Sequence, residues 1–106
     1  MVRPDIRTCR ERLETKRTGL LRNLEQLRAD VSRNSGESIT KVDAMREMMQ
    51  ESRMLWLVES ALSGIDEGVY GKCHLCQQRL SSRRLTDLPW SSHCESCEKL
   101  AEARLL

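Results

Sequence analysis

The sequence predicts a mainly α-helical protein, in which an antiparallel coiled-coil helical hairpin is followed by a small four-cysteine module and a short C-terminal helix. Apolar residues recur at seven-residue spacing through the first two thirds of the chain. A turn-forming stretch at residues 32–38 interrupts that pattern, and two Cys-x-x-Cys pairs follow it. We therefore expect two units, the hairpin over residues 1–66 and the cysteine module over residues 67–106.

The first helix is predicted from two interleaved series of apolar residues without an interior proline. These residues occupy the a and d positions of a coiled-coil seam: Ile6, Leu13, Leu20, Leu24, Leu27 and Val31. Pro4 suits the first helical turn, where its missing N–H has no intrahelical partner to lose. The pattern therefore indicates one long helix up to about residue 31.

The second helix is predicted after the tip of the hairpin, which we expect at residues 32–38, SRNSGES. Its seam residues are Ala44, Met48, Leu55, Val58, Leu62 and Ile65. It should end near residues 64–68, and the short connection favours antiparallel packing. We interpret the methionine group, Met45, Met48 and Met49, as filling the seam rather than as a binding patch.

Composition and charge exclude several classes of function. The net charge is +2 and only 3% of the residues are aromatic, so an aromatic stacking surface for nucleic acid is missing. Nine basic and five acidic residues between Arg3 and Arg33 favour a solvated helix face, and we expect no direct DNA binding. The longest apolar run, residues 54–58, is too short for a membrane span. With no apolar leader segment at the N-terminus, these features predict a cytoplasmic protein.

Four cysteines carry the most specific pattern in the chain, with two residues inside each pair and 17 between the pairs: Cys73, Cys76, Cys94 and Cys97. Cytoplasmic thiols stay reduced, so paired motifs of this kind indicate a metal rather than disulfides. Thiolates are soft ligands that suit Zn²⁺, and four of them fill its tetrahedral coordination sphere. The sequence therefore predicts one structural zinc ion, no catalytic residues and no small-molecule substrate.

Other residues near the cysteines have open alternatives. His74 or His93 could replace a cysteine ligand, but four sulfurs suffice and both are expected on the surface. A redox function for one Cys-x-x-Cys pair lacks the expected βαβ surroundings. The lone Cys9 is interpreted as a small apolar residue or an exposed thiol. Residues 95–105 should form a short helix with Cys97 in its first turn.

Two stretches carry a further pattern, ALSGIDEGVYGKCHLC at residues 61–76 and RRLTDLPWSSHCESCEKLAEAR at residues 83–104. The region from 61 to 104, about 45 residues, resembles the DksA/TraR family of bacterial RNA-polymerase-binding regulators. The residues that match the family signature are Ile65, Asp66, Gly68, Tyr70, Gly71, Cys73, Cys76, Arg84, Leu85, Pro89, Cys94, Cys97, Leu100, Ala101 and Glu102. The resemblance implies a zinc-finger module that holds a coiled-coil hairpin.

The resemblance also implies RNA polymerase as partner, with the hairpin inserted into its secondary channel and acidic tip residues near the catalytic centre. Relatives usually have the string Asp-x-x-Asp-x-Ala at the tip, which this chain lacks. The nearest candidates for tip residues that contact the polymerase are Asp30, Glu37, Asp43 and Ala44.

Three further positions differ from the family pattern. Some members have a glycine after the second cysteine, where this chain has Gln77. Members that bind guanosine tetraphosphate use basic residues at the positions of Leu88 and Glu98, so this property is not carried over. We expect a monomeric transcription regulator, and the alternatives are a nucleic-acid-binding zinc protein or a coiled-coil interaction scaffold.

Overall fold

The structure, a computed structural model, describes residues 5–33 and 38–105, and these contain four helices. The helices are α1 (Ile6–Arg33), α2 (Ser38–Glu67), α3 (Ser82–Asp87) and α4 (Glu95–Leu105). Within the described ranges the extended backbone is limited to one isolated antiparallel bridge, between Lys72 and Arg79. The predicted fold class is confirmed. None of the described helices is long and apolar enough to cross a membrane.

Helices α1 and α2 pack along each other in antiparallel orientation. Three exposed side-chain pairs show the register: Arg10 with Asp66 at 2.9 Å, Arg17 with Glu59 at 3.5 Å, and Asn23 with Glu51 at 3.3 Å. In these pairs, a higher residue number in α1 goes with a lower residue number in α2, as antiparallel packing requires. Exposed pairs of this kind contribute little free energy, so the hairpin must be held by its apolar seam.

The seam is best packed at the base of the hairpin, next to the cysteine module. Leu13, Leu20 and Val58 are buried there and form one core cluster. Partly buried side chains surround them: Met54, Leu55, Ala61, Leu62, Ile65, Tyr70 and Trp90. Towards the tip, Leu24 and Leu27 are only half-buried. The fully buried core thus lies beside the module rather than along the whole hairpin.

Two details of the predicted seam are wrong. Ile6 is exposed because the register places it beyond the end of α2, where no seam residue faces it. Of the methionines, Met48 lies half-buried in the seam, but Met45 and Met49 are exposed. Met45 and Met49 are four residues apart and therefore share a face of α2, which points away from α1.

The cysteine module is attached to the base of the hairpin by side chains from both units. Tyr70 contacts the buried clusters of both the hairpin and the module. Its hydroxyl donates a hydrogen bond to the Pro89 carbonyl at 2.8 Å. On the other side, the guanidinium of Arg12 in α1 donates to the Thr86 carbonyl of α3 at 2.6 Å. These bonds position the module against α1 and α2.

Candidate metal centre

The first cysteine pair lies in a tight backbone turn of the cysteine module. Gly71 enters it with φ +87°, a conformation that glycine adopts without steric cost. The Cys73 N–H donates to the Gln78 carbonyl at 2.8 Å, and the Gln77 N–H donates to the Cys73 carbonyl at 2.9 Å. Gln77 has φ +65°, a left-handed conformation that favours glycine over other residues. The turn places the Cys73 and Cys76 thiols on one side of the cluster.

The second pair lies at the start of α4. Cys97 occupies the first turn of this helix, as predicted, and its N–H lies 3.4 Å from the Cys94 sulfur. The Glu98 N–H donates to the Cys94 carbonyl at 2.9 Å. A backbone bond from the His74 N–H to the Ser92 carbonyl, 2.9 Å long, ties the two knuckles together. The N-terminal end of α4 therefore faces the thiols with its positive dipole end.

The four thiols meet as the spacing predicts. The sulfur atoms of Cys73, Cys76, Cys94 and Cys97 all lie within 4.8 Å of one another, and Cys76 and Cys94 are 3.8 Å apart. A tetrahedral ion with metal–sulfur bonds of about 2.3 Å requires sulfur–sulfur distances of about 3.8 Å. Cys73 is fully buried, Cys94 and Cys97 are half-buried and Cys76 is exposed, so the cluster lies at the surface of the module. Its size fits a single metal ion.

The pKa shifts of the clustered cysteines indicate that the four thiols can all be deprotonated only with a cation beside them. Burial raises the pKa of Cys73, but N–H groups of Cys76, Cys94 and Leu75 outweigh it and lower that pKa to about 5. The Cys97 pKa is raised to about 12, first by its hydrogen bond with Cys94 and then by that with Cys73. Without a cation one thiolate is stabilised at the expense of its neighbours, whereas a divalent ion stabilises all four.

The other candidate ligands lie outside this cluster. The rings of His74 and His93 stand edge to face with centroids 6.1 Å apart, and the four sulfurs already provide a complete tetrahedral donor set. Cys9 is buried in α1, so of its two predicted environments the apolar one is observed. A hydrogen bond with Cys9 adds to the burial that raises the pKa of Tyr70. Cys9 therefore belongs to the contact between hairpin and module.

Arg84 holds the second knuckle in place. Its Nε atom donates to the Ser91 hydroxyl at 3.0 Å and to the His93 carbonyl at 2.9 Å. Its guanidinium also forms an ion pair with Glu98 on α4. Arg84 is largely buried, and it connects α3 with the segment that carries Cys94. The sequence indicated Arg84 only through the family signature, because nothing local predicts which groups a long side chain will reach.

Replacing Arg84 with alanine is expected to lower the free energy of unfolding by about 2 kcal/mol, because charge-assisted bonds are lost at a partly buried site. Metal affinity should fall by about tenfold or more, since groups that orient ligands tune affinity. Arg84→Lys should not restore either value, because an ammonium cannot reach three acceptors in a fork. Competition with a chromophoric chelator measures the affinity, and urea unfolding measures the stability.

Arg83 provides the matched control for that substitution. It is adjacent in sequence and exposed, and its Nε lies 3.9 Å from the Asp87 carboxylate. Arg83→Ala should change stability by less than about 0.5 kcal/mol. Equal losses in the Arg83 and Arg84 variants would show that Arg84 has no special role in holding the knuckle.

Of the predicted tip residues, Asp30, Asp43 and Ala44 lie at the end of the hairpin far from the cysteines, and Glu37 is outside the described residues. Asp30 accepts hydrogen bonds from Gln26 at 3.2 Å and Arg33 at 2.7 Å. Asp43 is exposed on α2, and Ala44 is half-buried. The Asp30 carboxylate is thus paired with the Arg33 guanidinium, whereas Asp43 is exposed to solvent.

The fold and the thiol cluster define a class: a coiled-coil helical hairpin carried on a four-cysteine metal module. The fold is that of the transcription factor DksA2 from Pseudomonas aeruginosa, whose structure matches with a TM-score of 0.74 at 24% identity. The match covers 95% of this chain and 92% of that one. The family resemblance read from the cysteine module is thus confirmed at the level of the fold.

Two further comparisons have a lower TM-score or cover less of the chain. The structure of Dks from Chlamydia trachomatis L2 (LGV434), described as an RNA polymerase binding protein and transcriptional regulator, matches with a TM-score of 0.49 at 21% identity, covering 91% of this chain and 93% of that one. An uncharacterized protein from Aquifex aeolicus (strain VF5) is 33% identical over 45 residues, which is 42% of this chain. The chain spans about a third (31%) of the length of that curated relative. No protein-family model matches the chain.

Proposed function

We propose that this chain is a zinc-binding transcription regulator of DksA/TraR type that binds RNA polymerase through the secondary channel. One observation carries the proposal: the fold of a transcription factor extends over 95% of the chain. The signature residues around the cysteine pairs support the same assignment. We further propose a monomer that acts in the cytoplasm.

In this proposal the two units, residues 1–66 and 67–106, have separate tasks. Cys73, Cys76, Cys94 and Cys97 hold one Zn²⁺, which supplies the cross-link that a module with so few buried residues needs. The ion has a structural task rather than a catalytic one, because four thiolates leave no open coordination position. The hairpin then projects from a rigid base as the part that reaches the polymerase.

The contact with the polymerase is assigned to the far end of the hairpin. Asp43 and Ala44 lie in the first two turns of α2, and Asp30 lies in the last turn of α1. Together with Glu37 they supply three carboxylates at the tip. Without the Asp-x-x-Asp-x-Ala string, the effect on transcription rests on this different arrangement of acidic groups.

Direct nucleic-acid binding is an alternative function with less support than polymerase binding, because part of the positive charge of α1 is paired with carboxylates. Three of its arginines form ion pairs with carboxylates: Arg10 with Asp66, Arg17 with Glu59, and Arg33 with Asp30. Each pair reduces the positive charge that could face a phosphate backbone. Carboxylates of the hairpin itself therefore neutralise part of the positive charge excess of α1.

Co-purification with RNA polymerase tests the proposal. The intact chain should be retained on immobilised core polymerase at modest salt, and it should change transcription in a purified system. A variant in which residues 32–43 are replaced by an uncharged turn should remain folded, as judged by circular dichroism, and lose the effect on transcription. Failure of the intact chain to bind the polymerase would contradict the proposal, as would an unchanged effect in the variant.

A further inference from the structure

Helix α2 has a second apolar face that α1 does not cover. Its four residues, which we call the outer stripe, are Val42, Met45, Met49 and Trp56, with exposed fractions of 53%, 51%, 75% and 62%. They are separated by three, four and seven residues, so they form a single line along the helix. At about 1.5 Å per residue, the line is about 21 Å long.

The outer stripe is separate from the seam of the hairpin. The seam residues Leu55, Val58 and Leu62 lie on the side of α2 that contacts α1 and the base cluster. Each residue advances about 100° around the helix, so the outer stripe is centred on the opposite half of the circumference. Large apolar side chains aligned in this way are uncommon on a monomer surface and mark interaction sites.

The charges beside the outer stripe all have one sign. Arg46 and Arg53 directly adjoin it, and both are exposed. Among the described residues, neither forms an ion pair. The remaining position on this face between Val42 and Trp56 is Ser52, so no carboxylate lies there. The surface is therefore an apolar line with an unpaired positive edge.

We propose that the outer stripe binds a partner helix whose apolar seam is edged by glutamate or aspartate side chains. The a/d spacing of the stripe matches the narrow seam of a coiled coil, into which a second helix packs its own apolar residues. Arg46 and Arg53 supply the positive half of the flanking charge pairs, which in coiled coils set the choice of partner. The inference is argued from the surface of α2 alone and does not rest on the polymerase proposal, although Val42 lies next to the proposed contact residues Asp43 and Ala44.

Two other occupants fit the surface less well. In an antiparallel pair of two copies, the edge that carries Arg46 and Arg53 would face the same edge of the partner with no carboxylate between them, and like charges in an interface are unfavourable. A membrane surface would favour an apolar arc wider than about 100° of the helix circumference, whereas this stripe is one residue wide. Both arguments leave an acidic amphipathic helix as the occupant.

The direct test uses two synthetic helical peptides of five turns with leucine at every a and d position. One carries glutamate at the flanking e and g positions, and the other carries lysine there. The full chain with zinc should bind the glutamate peptide, with an affinity that decreases as salt rises. The lysine peptide should bind at least about tenfold more weakly. Fluorescence anisotropy of labelled peptides measures both affinities.

Variants of the outer stripe separate its apolar and charged parts. Trp56→Ala should weaken binding of the glutamate peptide by about tenfold or more, because buried tryptophans dominate interface energies. The double variant Arg46→Glu, Arg53→Glu should reverse the preference and select the lysine peptide. Leu21→Ala and Arg22→Glu, at exposed positions of α1, are the matched controls and should bind as the parent does.

Four results would overturn the proposal. The first is no binding of the glutamate peptide by a folded chain, and the second is a peptide preference that the double charge reversal leaves unchanged. The third is a dimer in sedimentation experiments that Trp56→Ala dissociates, which would assign the stripe to self-association. The fourth is binding to anionic vesicles that the same variant abolishes. All of the substituted side chains are exposed, so each variant should fold. Circular dichroism checks the helicity of each variant.

Discussion

Removal of zinc is expected to unfold residues 69–105 while the long helices keep most of their helical signal. Among the residues of the module whose burial the structure describes, 67–100, few side chains are buried: Cys73, Leu80, Leu85 and Pro89. Units of fewer than about 40 residues rarely fold without a metal or disulfides. Zinc contributes on the order of 10 kcal/mol in such modules, comparable to the whole stability of a domain. Chelation therefore removes the largest single stabilising contribution.

The measurement combines metal content with two spectroscopic signals. Native mass spectrometry should give one zinc ion per chain, and chelation should change the fluorescence of Trp90, which packs between the module and the hairpin. Far-UV circular dichroism should lose part of its helical signal, and the melting temperature should fall. Helicity and melting that are indifferent to chelation would contradict a structural zinc ion.

A pair of cysteine variants separates ligands from other thiols. Cys94→Ser should abolish stoichiometric zinc binding, because it removes one of the four clustered sulfurs. Cys9→Ala removes a buried thiol on α1 that lies outside the cluster, and it should retain one zinc ion. Its cost should be about 1 kcal/mol, since it truncates one buried group at the contact with Tyr70. Equal loss of zinc in both variants would contradict the four-cysteine assignment.

The features that the sequence predicted well are those encoded by local spacing. The cluster of four thiols follows from the Cys-x-x-Cys geometry, and α4 begins and ends at the predicted residues 95 and 105. Helix α2 ends at Glu67, inside the predicted range, because Gly68 adopts φ +75° and interrupts the helix. Each of these patterns reports on residues within a few positions of one another.

The features that the sequence did not predict depend on distant contacts or on very short elements. Helix α3 has six residues, too few for periodicity, and its N-cap, Ser81, was identified only in the structure. The exposure of Ile6 depends on where the other helix ends. The network of Arg84 depends on the Ser91 hydroxyl, the His93 carbonyl and the Glu98 carboxylate, which lie seven to fourteen residues further along the chain. Spacing along the chain carries none of this information.

The exposure of Met45 and Met49 also depends on distant contacts, and it matters for the interaction surface proposed on α2. Met45 and Met49 fit either a wide seam or a second face, and the sequence alone favoured the seam. The choice depends on the rotation of α2 about its axis, which is determined by the packing of Leu55, Val58 and Leu62 against α1 and the base cluster. Once that rotation is known, both methionines join Trp56 on the outer stripe.

Leu13→Ala is expected to lower the free energy of unfolding by about 3 kcal/mol, the largest effect of any single substitution in the hairpin. Leu13 is fully buried at the base of the hairpin, where Leu20 and Val58 complete the cluster. Side chains from α1, α2 and the module pack around this cluster, which limits relaxation around the cavity. Because small domains are stable by only about 5–15 kcal/mol, the variant should unfold at a markedly lower urea concentration.

The same truncation nearer the tip should cost less. Leu27 is only half-buried, so Leu27→Ala should cost about 1 kcal/mol, and Leu21→Ala, at an exposed position, should be nearly neutral. Urea unfolding should be measured in excess zinc, which keeps the ion bound to the module. The free energies of unfolding of the three variants can then be compared. A gradient from base to tip would mean that the hairpin is anchored at the module and loosens outwards. Equal costs for Leu13 and Leu27 would instead indicate a seam of uniform strength, contrary to the observed burial.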